Sequence, residues 1–202
     1  MKKFILAVMA FCTLGASQAF AIDNEPEEGF SNKIYVGMSI ANLRNINTDS
    51  KVGYSIGWLG EYMLPGAAGT YVNFGADLSM QGAKLGDDKL RTHYVAVPIH
   101  IGYRYNITPK WGVYADFGPN FEFGMGGKWS ETDQKFFKKA SKGGCGADRF
   151  NCALGFRVGG EFNNKLSLTT GFDWGLTSTI DMPKPVKDIK TFNSTITLGY
   201  RF

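Results

Sequence analysis

The chain contains 202 residues, of which 44% are hydrophobic and 20% are charged, and its formal net charge is +4. This small charge argues against a nucleic-acid-binding protein, and the length fits a single domain. Beyond the amino-terminal region, no segment approaches the roughly 18 consecutive apolar residues of a membrane-spanning helix.

The amino-terminal region has the pattern of an export signal. Lys2 and Lys3 precede an apolar stretch at residues 4–14, and Ala19-Phe20-Ala21 has the A-x-A form of a signal-peptidase site. The apolar stretch is too short to cross a membrane as a helix. We therefore predict that residues 1–21 are a cleaved signal peptide.

From residue 33 onward, apolar residues alternate with small or polar ones, in segments that turn-type residues separate. This alternation has the period of two that is typical of β-strands. It predicts eight strands, at residues 33–42, 51–64, 70–82, 91–105, 111–124, 151–162, 166–178 and 190–202. Residues 22–32 are then a short periplasmic segment, and residues 33–202 form the folded domain.

The two faces of these strands indicate lipid outside and polar groups inside. In the last strand Phe192, Ile196 and Tyr200 share one face, while Asn193 and Arg201 share the other. A soluble barrel would expose lysine on its polar face, whereas these polar faces carry glycine, arginine and carboxylates, which satisfy one another in a confined interior. The predicted lumen charges are Glu61, Asp77, Arg104, Asp116, Glu122, Arg157, Glu161, Asp173 and Arg201.

Outward aromatic residues and connection lengths support the same interpretation. A predicted interfacial girdle consists of Trp58, Tyr62, Tyr103, Tyr105, Trp111, Phe162, Trp174 and Tyr200. The links after strands two, four and six are short, while the links at 43–50, 83–90, 125–150 and 179–189 are longer. We therefore predict an all-β fold, an eight-stranded antiparallel up-and-down transmembrane β-barrel in a bacterial outer membrane with both termini in the periplasm.

Several short motifs resemble the PorT-like outer-membrane β-barrel domain family over nearly all of the mature sequence. In chain order they are Gly37 with Ser39 and Asn42, Gly53-Tyr54 with Gly57 and Glu61-Tyr62, Gln81-Gly82-Ala83-Lys84, Tyr94-Val95-Ala96-Val97-Pro98, Gly118-Pro119, and Leu198-Gly199-Tyr200-Arg201-Phe202. The resemblance implies the fold and little about activity. Tyr200 and Phe202 also resemble the terminal signal that barrel-assembly machinery recognises, so we expect that machinery and outer-membrane lipids as partners.

The lumen charges set the functional alternatives. An eight-stranded barrel is narrow enough for side chains to fill it, so we predict a plugged, non-enzymatic barrel with a structural or surface-interaction role. The alternative is a small cation-permeable pore or a transport or secretion accessory, because the predicted lumen acids outnumber its arginines. A rim hydrolase or acyltransferase that uses His93, Asp87 or Asp88 is a third hypothesis.

The link between the fifth and sixth strands is the most individual segment. Its candidate interaction residues are Lys128, Trp129, Lys135, Phe136, Phe137, Lys138 and Lys139, which could contact lipid head groups or an unknown extracellular or envelope protein. Alternatively, its aromatic residues fold back onto the barrel rim.

Two further features concern cysteine and cofactors. Cys145 and Cys152 could form a disulfide in an oxidising compartment, unless Cys152 points outward from a strand. No spacing indicates a metal site, a cofactor or a catalytic serine motif.

Overall fold

The computed structural model describes residues 29–46, 48–180 and 188–202. The predicted signal peptide and residues 22–28 of the predicted periplasmic segment lie outside the described residues. Residues 29–32 belong to the first strand, because they pair with residues 60–63 of the second strand. In addition, the Asn32 N–H donates to the Phe202 carbonyl, and the Phe202 N–H donates to the Asn32 carbonyl. The folded domain therefore begins four residues earlier than the alternation predicts.

The predicted eight-stranded antiparallel barrel is confirmed. Each strand pairs with the next, and the last strand pairs with the first to close the barrel. The strands are β1 (Gly29–Arg44), β2 (Asp49–Met63), β3 (Thr70–Leu85), β4 (Asp88–Asn106), β5 (Trp111–Trp129), β6 (Phe150–Phe162), β7 (Leu166–Gly175) and β8 (Lys190–Arg201). Closure leaves no strand edge unpaired, which a lipid environment requires.

The two ends of the barrel differ. The turn end carries the short links at residues 64–69, 107–110 and 163–165, together with the first residue of β1 and the last of β8. The loop end carries the links at 45–48, 86–87, 130–149 and 176–189. One turn of 3-10 helix, Ala140–Lys142, lies in the longest of these. None of the helical structure in the described ranges is long and apolar enough to span a membrane.

Two of the four links that were predicted to be long are short. Strands β3 and β4 continue to pair up to Leu85 and Asp88, so only Gly86 and Asp87 remain between them. Gly86 has a φ of +60°, the backbone conformation that tight hairpin turns demand and that glycine adopts without strain. The apolar alternation stops before the strands do. The polar residues at the loop end of β3 and β4 still form backbone pairs, so the alternation underestimates the length of both strands.

The outward face of the barrel is apolar. Along β4 it presents Val95, Val97, Ile99, Ile101, Tyr103 and Tyr105, all at least one third exposed. A soluble protein does not leave so large a continuous apolar surface in water. The eight predicted girdle residues all lie on this face; six of them are near the turn end, Trp58 lies further along β2, and Trp174 lies near the loop end of β7.

Candidate functional site

The lumen is occupied by polar side chains that form two clusters. All nine predicted lumen charges lie on the inward face of their strands, buried or half-buried. Glu61, Glu161, Arg104 and Arg201 meet near the turn end, and the other five lie toward the middle and the loop end.

Glu61 is the centre of the turn-end cluster. Its side chain is fully buried and lies 3.0 Å from Lys33 Nζ, 2.9 Å from Arg104 Nη2 and 2.5 Å from Arg201 Nη2. The Lys33 contact is an ion pair without hydrogen-bond geometry, whereas both arginines donate hydrogen bonds. Arg201 also donates to Glu161 over 2.7 Å. Three cations and two carboxylates therefore close this end of the lumen.

Lys33 was missed by the sequence analysis. Lys33 is the first residue of the predicted first strand. It lies two residues before Tyr35, so strand alternation places both side chains on the inward face. Tyrosine rings cover the cations of this cluster: Lys33 Nζ lies 4.7 Å from the ring centroid of Tyr114, and Arg104 Cζ lies 4.9 Å from that of Tyr71. Such contacts stabilise cations that have lost their water.

A second network surrounds Asp116 in the middle of the lumen. Tyr71 Oη donates to Asp116 Oδ2 over 2.9 Å, and Arg157 Nε donates to Oδ1 over 2.9 Å. His100 Nδ1 lies 2.6 Å from the same Oδ1, and its Nε2 lies 2.8 Å from Asn120 Oδ1. The inward His100 is thus held between a carboxylate and an amide within the lumen.

The carboxylates closer to the loop end have neutral partners. Asp173 accepts from Asn120 over 2.6 Å and from Asn193 over 3.2 Å. Asp77 likewise accepts from Tyr35 and Ser55, and Glu122 accepts from Gln81 and Asn151. Arg157 is the cation that faces these acids within the described lumen. A cavity of about 50 Å³ lies among them, with room for one or two waters.

Glycine makes room for the aromatic rings of the lumen. Three inward tyrosines lie over the glycine directly opposite on the next strand, in the pairs Tyr35 with Gly57, Tyr71 with Gly102 and Tyr114 with Gly159. A Cβ on Gly159 would lie 2.6 Å from Tyr114 Cζ. The glycine-rich inward face therefore produces a filled interior rather than an open one.

The 130–149 loop covers the lumen at the loop end. Phe136 is 1% exposed and packs in an apolar cluster with Leu43, Leu90, Ala147 and Ile189. Phe137 packs edge-on against Tyr94, with ring centroids 5.7 Å apart. Trp129 also packs against this cluster. The three aromatic members of the predicted interaction loop therefore pack over the barrel mouth; Phe136 is fully buried there, while Trp129 and Phe137 are half-buried.

The cationic members of the same loop remain exposed. Lys128, Lys135, Lys138 and Lys139 all face solvent, and Lys128 pairs with Asp133 over 2.8 Å. The hydrogen bond from Lys128, followed by its charge, lowers the pKa of Asp133 below its ordinary value. Because both side chains are more than 60% exposed, this pair contributes little to stability.

Asp88 fastens the β3–β4 hairpin to the 130–149 loop. Its Oδ1 accepts from the backbone N–H groups of Lys89 and Glu131, each over 2.9 Å, and from the Ser130 hydroxyl over 3.3 Å. Desolvation opposes ionisation of the carboxyl group, but these hydrogen bonds outweigh it and lower the pKa of Asp88 below 3.8. Asp88 therefore has a structural role in the loop end.

The proposed disulfide and the proposed rim hydrolase find no support in the geometry. Cys145 and Cys152 are both free. Cys152 lies in β6 on the outward face, whereas Cys145 packs against the apolar cluster inside the mouth, so the barrel wall separates them. His93 lies on the outward face, where its Nδ1 is 3.2 Å from Tyr54 Oη. Of the two acids named with His93, Asp88 is engaged by the loop backbone, and Asp87 is exposed in the turn between β3 and β4.

Comparison with known proteins agrees with the fold. A family model described as "Outer membrane protein beta-barrel domain" matches residues 4–202. No curated protein sequence is detectably similar to the chain.

Solved structures of similar architecture include Ail, the attachment invasion locus protein of Yersinia pestis, at 15% identity and a TM-score of 0.45, covering 87% of this chain and 100% of Ail. Neisserial surface protein A (NspA) is 14% identical with a TM-score of 0.49, covering 86% of this chain and 98% of NspA. OprG from Pseudomonas aeruginosa is 13% identical with a TM-score of 0.48, covering 89% of this chain and 98% of OprG. Likenesses of this degree carry no argument about activity. The match of the family model over nearly the whole sequence shows that the chain belongs to the outer membrane protein β-barrel domain family.

Proposed function

We propose that this protein is a non-enzymatic outer-membrane barrel with a plugged lumen, and that it has a structural or surface-interaction role. The observation that carries the proposal is the double closure of the lumen. Phe136 and its apolar neighbours cover the loop end, and the ion pairs of Glu61 close the turn end. Between them, the cavity of about 50 Å³ has room for water and little else.

The interaction surface that we propose is the polar outer side of the 130–149 loop. Lys138, Lys139 and Lys142 are exposed there and none of them forms an ion pair within the described part of the chain. With both termini in the periplasm, this loop would face the outside of the cell. Its apolar residues are already used to fold the loop onto the rim, so a partner would be recognised through charge and hydrogen bonds.

Two finer assignments belong to the same proposal. We infer membership of the PorT-like group within the family from the motifs at Gln81-Gly82-Ala83-Lys84 and Gly118-Pro119. We also infer that barrel-assembly machinery inserts the protein through Tyr200 and Phe202. Both residues lie on the outward face at the turn end, with their rings stacked at a centroid distance of 6.5 Å.

Conductance in planar bilayers tests the plugged lumen. The refolded mature protein, with closure verified by heat-modifiable gel mobility, is expected to give no steady current. A matched variant in which a Gly-Ser linker replaces residues 131–148 removes the loop-end closure alone. It is also expected to be silent, because the Glu61 cluster still closes the turn end. Steady current through the wild-type protein would contradict the proposal.

A small cation-permeable pore is the second candidate, favoured by one observation. Asp77, Glu122 and Asp173 line the cavity opposite a single arginine, Arg157. If the lumen conducts, the current should be cation-selective, and Asp173→Asn should reduce that selectivity. Asp133→Asn, which removes an acid from the exposed loop, serves as the matched control and should leave the selectivity unchanged.

Chemical cross-linking on intact cells tests the loop. The variant K138Q/K139Q/K142Q is expected to lose the cross-linked partners of the wild-type protein. The variant K110Q/K165Q removes exposed lysines from the turn end and should retain them. Retention of all cross-links by the first variant would remove the loop lysines from the proposal.

A further inference from the structure

A row of unpaired cations lies on the outer wall at the loop end. Lys84 in β3 and Lys89 in β4 are direct cross-strand partners, and Arg91 follows Lys89 on the same outward face of β4. Within the residues that the structure describes, none of these three side chains forms an ion pair or a hydrogen bond. They are therefore available to a ligand.

These three cations lie close enough to repel one another, and a fourth cation, Lys51, lies near them. Lys51, in the neighbouring strand β2, is 7% exposed. A Cβ on Gly82 would lie 3.0 Å from Lys51 Cδ, and Gly82 is the cross-strand partner of Arg91, so the Lys51 side chain lies beside the row. A group of like charges held together in this way becomes more stable when an anion binds.

The acids nearby do not neutralise the row. Asp49 pairs through its backbone with Lys84 but makes no ion pair with it in the described structure. Asp88 is occupied by the loop backbone, and Asp133 is paired with Lys128. Asp87 is exposed at the tip of the β3–β4 hairpin, and Glu131 is exposed in the 130–149 loop, where its backbone N–H donates to Asp88.

The position of these three cations relative to the apolar band of the barrel identifies their ligand. The outward face of β4 is apolar from Tyr105 to Val95. At roughly 3.4 Å per residue and a tilt of about 40°, those positions span about 26 Å, the height of the apolar band of an outer-membrane barrel. His93, Arg91 and Lys89 follow at steps of about 5 Å, which places them at the level of the lipid head groups, where long cationic side chains reach the interface.

We propose that Lys84, Lys89 and Arg91 bind the phosphate groups of lipid head groups in the membrane leaflet at the loop end. An arginine beside two lysines suits phosphate, because guanidinium binds phosphate oxygens in a bidentate manner. His93 and Tyr54, which contact each other just below Arg91, would lie against the upper part of the same lipid. This inference does not depend on the role proposed for the 130–149 loop.

Native mass spectrometry of the refolded protein in zwitterionic micelles, titrated with diphosphoryl lipid A, tests the proposal. Each interfacial cation is worth about 1 kcal/mol, or about fivefold in affinity, so K84Q/K89Q/R91Q is expected to weaken binding at least tenfold. The control K110Q/K165Q removes exposed lysines at the turn end, away from the row, and should weaken binding less than threefold. Equal losses in the two variants would overturn the proposal.

Two measurements on the wild-type protein keep the test decisive if the triple variant folds poorly. Lipid A from which both phosphates have been removed is expected to bind at least tenfold more weakly than diphosphoryl lipid A. Inorganic phosphate at millimolar concentration is expected not to displace the lipid. Binding that ignores the phosphates would refute the proposal, and displacement by free phosphate would replace a lipid site by a simple anion site.

Discussion

Replacement of Glu61 by glutamine is the sharpest test of the turn-end cluster. The wild-type cluster holds Lys33, Arg104 and Arg201 against Glu61 and Glu161, a formal charge of +1 from three cations and two carboxylates. The substitution raises this charge to +2 in a group that is almost fully buried. Removing one member of a buried ion pair costs about 3–5 kcal/mol, because the remaining charge stays buried without its partner.

Equilibrium unfolding in urea, with the barrel refolded into lipid vesicles and followed by tryptophan fluorescence, measures this loss. Glu61→Gln is expected to lower the free energy of unfolding by about 3–5 kcal/mol. Asp133→Asn breaks the exposed pair with Lys128 and should leave the free energy of unfolding nearly unchanged. A loss below about 1 kcal/mol for Glu61→Gln would refute the reasoning, since it would mean that water or a rearranged neighbour replaces the carboxylate.

Three further predictions concern the loop and the glycines. Phe136→Ala should make the 130–149 loop susceptible to limited proteolysis. The barrel should still show heat-modifiable gel mobility, because the apolar cluster around Phe136 is not part of the lipid-facing wall. Gly159→Ala should lower the free energy of unfolding by about 1–3 kcal/mol through collision with the ring of Tyr114, whereas Gly160→Ala, whose Cβ would meet nothing within 4 Å, should change it by less than about 0.5 kcal/mol. The pKa of Asp88 is lowered from 3.8, so the hydrogen bonds of the Asp88 carboxylate to the loop are present above pH 3.8 and are lost as the pH falls through the lowered pKa. Hydrogen exchange of the loop amides in the wild-type protein should accelerate as the pH falls through that value. Asp88→Asn should show fast exchange already at neutral pH.

The number of strands and the side on which each lumen charge lies followed from the sequence, because both depend only on alternation within one strand. The pairing of those charges did not. Glu61 in β2 meets Arg201 in β8 and Arg104 in β4 across the lumen, and this depends on the stagger of the closed barrel. No local pattern in the sequence carries that information.

Irregularities in the strands account for most of the remaining differences. The register of β4 and β5 shifts between His93 and Tyr94, where Gly124 pairs with Tyr94 but Gly126 pairs with His93. The additional residue reverses the parity of the rest of β5, so that Lys128 points outward and Trp129 points into the mouth. The fold of the 130–149 loop could not be predicted either, because the sequence does not distinguish a phenylalanine that packs inside the barrel mouth from one that is exposed and binds a partner.

The two closures of the lumen act in series, and this determines how the barrel would have to open in order to conduct. An ion that enters from the loop end must first displace Phe136, and it then meets the polar cavity, where Asp77, Glu122 and Asp173 would accept it. It leaves only if a pair around Glu61 separates, at a cost of about 3 kcal/mol or more. A state of that energy is populated about 1% of the time or less, and the loop-end closure must open at the same moment. For the plugged lumen that we propose, removal of either closure alone should therefore leave the barrel silent, even though acids line the cavity between the two closures.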